Sequence, residues 1–216
     1  MTAKSAFFSF LVAFPLLAES PVAISLPKPE THGGKPLMQA LSERKSGREF
    51  ASHDLSSQVL SNLLWAAFGV NRPDGRRTAP SAMNRQTVDV YVVKADGAYL
   101  YDAAHNQLSP VAAADLRATT GTQAYVGHAP LNVVYVSDYS KMGNSSENDQ
   151  AMLAGAEAGF IGQNVYLYCA SEGLATVIRA SIDKDALAKA LKLRPSQHIV
   201  LAQTVGYPAG SPKDGH

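Results

Sequence analysis

The sequence has a single cysteine, Cys169, in 216 residues. One thiol excludes an intrachain disulfide and any multi-cysteine metal site, so stability has to come from packing and association. Cys169 lies in the apolar helical stretch Tyr166-Leu167-Tyr168-Cys169-Ala170 and reads as a small core residue rather than a nucleophile. Charge of one sign is also lacking: nineteen Lys and Arg oppose eighteen Asp and Glu, for a formal net charge of +1. No global field draws the chain to nucleic acid or to an anionic membrane, so nucleic acid is not expected as a partner and any anion site must be local.

Motifs for several common chemistries are missing. Gly33-Gly34-Lys35 has Pro29 where a phosphate loop needs its first glycine, and no Gly-x-Gly-x-x-Gly turn follows a strand. The six histidines are scattered without metal-ligand spacing, so no metal is expected. Gly143-Asn144-Ser145-Ser146-Glu147 lacks the second glycine of a nucleophile elbow. The uncharged run from Ala6 to Leu17 is too short to span a bilayer. With Lys4 before it and Ala18, Ser20 and Ala23 after it, residues 1–23 read as a cleaved secretion signal. That predicts a periplasmic or secreted mature chain with no membrane span.

What is present is enough for one domain: 46% of the residues are apolar, sufficient to bury a core. Residues 24–35, with Pro27, Pro29, Gly33 and Gly34, read as a linker or extended arm, and regular structure is expected after it. The domain is expected over residues 36–209, with a flexible tail at 210–216. Pro36 opens a short helix to about Arg44, and Ser56 or Ser57 caps a second that ends at Gly69. Residues 71–86 form a long loop, Val88–Val93 and Ala98–Asp102 a hairpin about Asp96-Gly97, and Ala112–Ala118 a weak helix. A strand over Leu131–Val136 precedes the longest helical pattern, about Asp149 to Ser171, whose small residues Gly155, Ala158, Gly159 and Gly162 admit a close neighbour either within the subunit or across a dimer. Gly173 ends that helix. A strand at Ala175–Ile178, a helix capped by Asp183 and a last strand at Ile199–Val205 follow.

Two stretches carry recognisable chemistry. In Arg44-Lys45-Ser46-Gly47-Arg48 an extended turn sets Arg44, Ser46 and Arg48 on one side, two forked cations about a hydroxyl, suited to a phosphate ester and a neighbouring electron-rich ring. The loop Arg77-Thr78-Ala79-Pro80-Ser81-Ala82-Met83-Asn84-Arg85-Gln86 stands just before a strand. Together with Gly173-Leu174-Ala175-Thr176 and Val205-Gly206-Tyr207-Pro208, in this order, they resemble the nitroreductase family over roughly Pro36 to Pro208.

The resemblance implies an α+β fold, a mixed or antiparallel sheet flanked by helices, in an intertwined homodimer with FMN at each subunit interface. Arg44 would hold the FMN phosphate, Ser46 the phosphate or ribityl chain, and Arg48 the pyrimidine edge. Ser81 belongs to the second signature, where Asn84 and Gln86 would read the polar edge of the ring. Backbone groups near Val177 and Ile178 would approach the reactive nitrogen, and Lys213 would complete the phosphate site. The implied activity is an FMN-dependent oxidoreductase, two-step in mechanism, that passes hydride or electron pairs to a nitroaromatic or quinone; the flavin carries the chemistry, so no catalytic side chain is expected. An exported flavin-binding protein without turnover is the alternative, because NADH and NADPH are scarce outside the cytoplasm. The related azoline-oxidase branch is another. Thr87, Val88 and Met83 depart from the family pattern, and Arg72, Arg76, Arg77 and Arg85 make the loop basic, either solvated or suited to an acidic acceptor.

Overall fold

A computed structural model describes residues 22–212. The signal expected in residues 1–23, but for its last two residues, and the contact expected of Lys213 lie outside the described residues. Among those described, the elements run β1 (Ile24–Ser25), α1 (Leu37–Glu43), α2 (Ser57–Phe68), β2 (Val88–Lys94), β3 (Gly97–Asp102), β4 (Gln107–Ala112), β5 (Leu131–Asp138), α3 (Glu147–Glu172), β6 (Ala175–Arg179), α4 (Lys184–Ala190) and β7 (Gln197–Gly206). They form an α+β fold around one seven-stranded sheet in the order β1-β4-β3-β2-β5-β7-β6. All its strand pairs are antiparallel.

Alternation along the central strands explains why both faces are covered. Val88, Val90, Val92, Leu131, Val133 and Tyr135 point to one side, where they meet α2 and α3. Tyr91, Val93, Val134 and Val136 point to the other, against Leu187 and Leu191 at α4. Caps fix the helix starts: Ser56 Oγ accepts from Val59 N at 3.2 Å, and Ser146 Oγ accepts from Asp149 N at 3.2 Å. Gly173, in the left-handed region at φ 70°, closes α3.

Two expectations are corrected. Regular structure begins before Pro36: β1 pairs with the outer edge of β4, and Pro27 O accepts from Ser61 Oγ at 2.5 Å and Asn106 Nδ2 at 2.8 Å. The arm is thereby bound to the domain. The helix expected at Ala112–Ala118 is absent, since Ala112 ends β4 and only a 3-10 turn at Arg117–Thr120 follows. An alanine-rich stretch has helix propensity but no apolar face to bury, and pairing with β3 prevails. Pro110 fits in β4 because β1 covers only Gln107 and Leu108.

One surface of α3 stands out. Met152, Gly155, Ala156, Gly159, Phe160 and Gln163 are exposed, at helical spacing, and none is charged. Met152 is 63% and Phe160 48% exposed, and Leu37 and Met38 of α1 are 62% and 75% exposed.

Candidate functional site

The Arg44–Phe50 segment leaves α1 in extended conformation and is strapped to the free edge of β6 and to the stretch just past β7. Gly47 N donates to Thr176 O at 2.9 Å, Ala51 N to Tyr207 O at 2.9 Å, and Ala209 N to Glu49 O at 3.2 Å. A Cβ on Gly47 would lie 3.1 Å from that of Ala175, so glycine permits the close approach. Neighbouring Ser46 then turns the opposite way, and its Oγ meets Tyr166 Oη at 2.9 Å, while the Arg44 guanidinium lies 5.3 Å from the Tyr166 ring centre. Tyr166 Oη also accepts from Ile178 N at 3.0 Å, and either hydroxyl can donate in its bond with Ser46. Arg48 is exposed and lines a crevice of about 640 Å³ with Lys35, Lys45, Tyr166 and Thr176. Among the described residues neither Arg44 nor Arg48 has a carboxylate partner; the nearby Glu43 is paired with Lys35 instead.

The second stretch is held elsewhere. Glu157 of α3, 4% exposed, accepts from Ser81 Oγ at 2.9 Å, Thr87 Oγ1 at 2.9 Å and Val88 N at 3.2 Å. Ser81 Oγ also accepts from Gln86 N at 2.8 Å. Gln86 takes Arg77 Nε on its Oε1 at 2.9 Å and gives its Nε2 protons to Gly75 O and Asn84 Oδ1 at 3.0 and 3.1 Å. Both Ser81 and Gln86 are thus committed to holding the loop together, whereas Asn84 is exposed and its Nδ2 has no partner among the described residues. Burial is the main effect on the Arg77 guanidinium and pushes it below its ordinary value.

Arg44 and Ser46 therefore converge on Tyr166, with Arg48 in the adjoining crevice, and Ser81, Asn84 and Gln86 are brought together in their own loop, but the two groups do not meet within one chain. Tyr166 and Glu157, which they touch, are nine residues apart on α3, hence about 13 Å along the axis and on opposite sides of the helix. Val177 is buried and pairs with Thr204, and the Ile178 amide is engaged by Tyr166, so neither offers a free N–H. The exposed Ala180, just past the strand, is the next amide with no partner among the described residues. Sequence reasoning missed Tyr166 and Glu157, the two side chains that fasten the signatures to α3. Glu157 left a signal, a lone carboxylate inside Ala154-Gly155-Ala156-Glu157-Ala158-Gly159; Tyr166 left none, being one aromatic among several.

Comparison with known proteins agrees with this geometry. A solved structure from Ralstonia eutropha JMP134, provisionally named a nitroreductase, is 41% identical with a TM-score of 0.85, over 94% of this chain and 97% of that one. A protein of Methanocaldococcus jannaschii, provisionally named a nitroreductase, is 27% identical over 180 residues, 79% of this chain and 90% of that one. A structure from Desulfovibrio desulfuricans, provisionally named a nitroreductase and solved in complex with FMN, shares the fold at 24% identity, with a TM-score of 0.60 over 85% of this chain and 94% of that one. The model of the Nitroreductase family matches residues 41–207, nearly the whole described domain, and the chain belongs to that family.

Proposed function

We propose that the protein is an FMN-dependent oxidoreductase acting as a homodimer, with each cofactor site built by two chains. The observation that carries this reading is the Arg44-Ser46-Arg48 turn: two guanidinium groups without carboxylate partners flank a hydroxyl whose oxygen is already engaged by Tyr166. That donor set fits a phosphate ester, and the crevice beside Arg48 is open and lined by Lys35 and Lys45 together with Glu43 and Glu49. FMN, when bound, supplies the reversible uptake and release of a hydride or electron pair. Arg44 and Ser46 hold the phosphate, and Arg48 sets positive charge at the pyrimidine edge, where reduction concentrates negative charge.

A second chain follows from the same geometry. The Asn84 loop lies on the wrong side of its own α3 to complete the crevice, so a second copy supplies it. The uncharged stripe of α3 and the apolar end of α1 are the surfaces that mate. The acceptor is a small nitroaromatic or quinone, and donor and acceptor use the site in turn. The N-terminal signal belongs to the proposal as well, with an exported mature chain whose electron donor is not restricted to cytoplasmic NADH; N-terminal sequencing of protein recovered from the periplasm tests it.

The spectrum of the purified chain titrated with FMN tests the function. Native protein turns yellow and saturates, while Arg44→Ala with Arg48→Ala weakens binding by about a hundredfold, from two lost charge-assisted contacts of roughly tenfold each. A chain that stays colourless at saturating FMN refutes the reading. Bound flavin that no donor reduces leaves a binding protein of the same fold.

A further inference from the structure

Arg72, Arg76 and Arg77 converge on a crevice of about 460 Å³, distinct within one chain from that beside Arg48 and walled also by Ser81, Met83 and Asn84. The chain as a whole is nearly neutral, yet the carboxylate paired with this group is Asp74 alone, through Arg76, among the described residues. Arg77 is fixed in place: Nε donates to Gln86 Oε1 at 2.9 Å, Nη1 to Phe68 O at 3.0 Å, and the guanidinium lies 5.0 Å from the centre of the Phe68 ring. Its Nη2 remains uncommitted. Arg72 spends Nε on Asn71 Oδ1 and one Nη2 proton on Arg77 O, leaving Nη1. Asn84 has its Oδ1 occupied by Gln86, and its Nδ2 has no partner among the described residues.

The loop that carries Met83 and Asn84 into the crevice wall is held in an uncommon conformation. Met83, Asn84 and Gln86 have φ of 55°, 54° and 47°, the left-handed region that non-glycine residues avoid. Three such residues within four positions persist because Glu157, Ser81 and Gln86 bind the loop from within, and strain of this kind gathers at ligand sites. Arg85 takes no part: its Nη1 donates to Met142 O at 2.8 Å. A preformed pocket with forked donors and one competing carboxylate is suited to an oxyanion.

We propose that this crevice binds an oxyanion, the carboxylate of an acidic electron acceptor, and so sets the substrate class of the enzyme. The assignment to an acceptor rests on the FMN reading above; the anion site itself does not. Inorganic phosphate is therefore titrated calorimetrically into the full chain carrying Arg44→Ala and Arg48→Ala, which disables the proposed cofactor site, and into the same chain with Arg72→Ala and Arg76→Ala added. A saturable site is expected in the first, weakened about tenfold or more in the second and by added salt. Absence of saturable binding in the first, or equal binding in both, overturns the proposal whatever FMN does.

In the FMN-loaded chain, Arg72→Ala with Arg76→Ala should raise KM for a carboxylated benzoquinone about tenfold or more. KM for a neutral methylated benzoquinone and the dissociation constant of FMN should stay as in the native protein. An equal rise in both KM values overturns the proposal, and so does a matching loss of FMN affinity, which would make the crevice part of the cofactor site. A chain that binds phosphate here but never binds FMN refutes the functional reading and leaves the anion site standing.

Discussion

Replacing Gly155 and Gly159 by alanine separates what α3 does in one subunit from what it does between two. Both glycines sit inside a 26-residue helix, and a Cβ built on either meets nothing within 4 Å. In an isolated subunit the change is pure gain: glycine costs roughly 1 kcal/mol relative to alanine in a helix interior, so the pair stabilises by about 2 kcal/mol. For a domain of this size that raises Tm by roughly 4–8 °C. If the stripe faces a second copy, two added methyl groups per chain become four across a twofold interface. At about 1 kcal/mol of overpacking each, the dimer dissociation constant rises on the order of a thousandfold. Sedimentation over a range of concentrations, paired with thermal unfolding, reads both effects. Dimers should give way to monomers, and the Tm should lose its dependence on concentration. An unchanged dimer with a raised Tm would refute the assignment of this face as the interface.

Tyr166→Phe removes the hydroxyl that joins Ser46 to the Ile178 amide. It should cost about 1–3 kcal/mol in urea unfolding and weaken FMN binding, whereas unchanged stability would show that the hydroxyl does not hold the turn. The Asp138 carboxyl, 2% exposed, is held at about 2 against an ordinary 3.8; burial opposes ionisation but is outweighed by hydrogen bonds from Ser140, Ser196 and Arg194. A carboxyl lowered on folding stabilises above its unfolded value, so about 2 kcal/mol present at neutral pH should disappear as pH falls from about 4 to 2. Asp138→Asn should flatten that part of the stability profile, and an unaltered acid limb would refute the link.

The site was legible in part. Arg44 and Ser46 were expected on one side of an extended turn because alternation is a local property, and both meet Tyr166, while Arg48 lines the crevice beside it. Ser81 and Gln86 have the composition of ligand-binding residues, but their hydrogen bonds go to Glu157, Arg77 and Gly75. No local pattern reveals that, since a polar side chain in a loop looks the same whether it turns inward or outward. The Ile178 amide is a similar case, taken by a tyrosine twelve residues earlier in the chain.

Sequence alone was enough for whatever depends on a few consecutive residues. Ser56 and Asp183 cap helices through a hydroxyl and a carboxylate that reach the next turn, Gly173 ends α3 by adopting positive φ, and alternating valines make strands with two apolar faces. Tertiary structure decided whatever depends on a competitor distant in the chain. Strand pairing took Ala112 from a helix, β4 captured the arm at Ile24, and the two signatures came to rest on opposite sides of α3. That last arrangement follows from the helix repeat acting between Glu157 and Tyr166, and it is the ground on which the proposed cofactor site takes its two stretches from two chains.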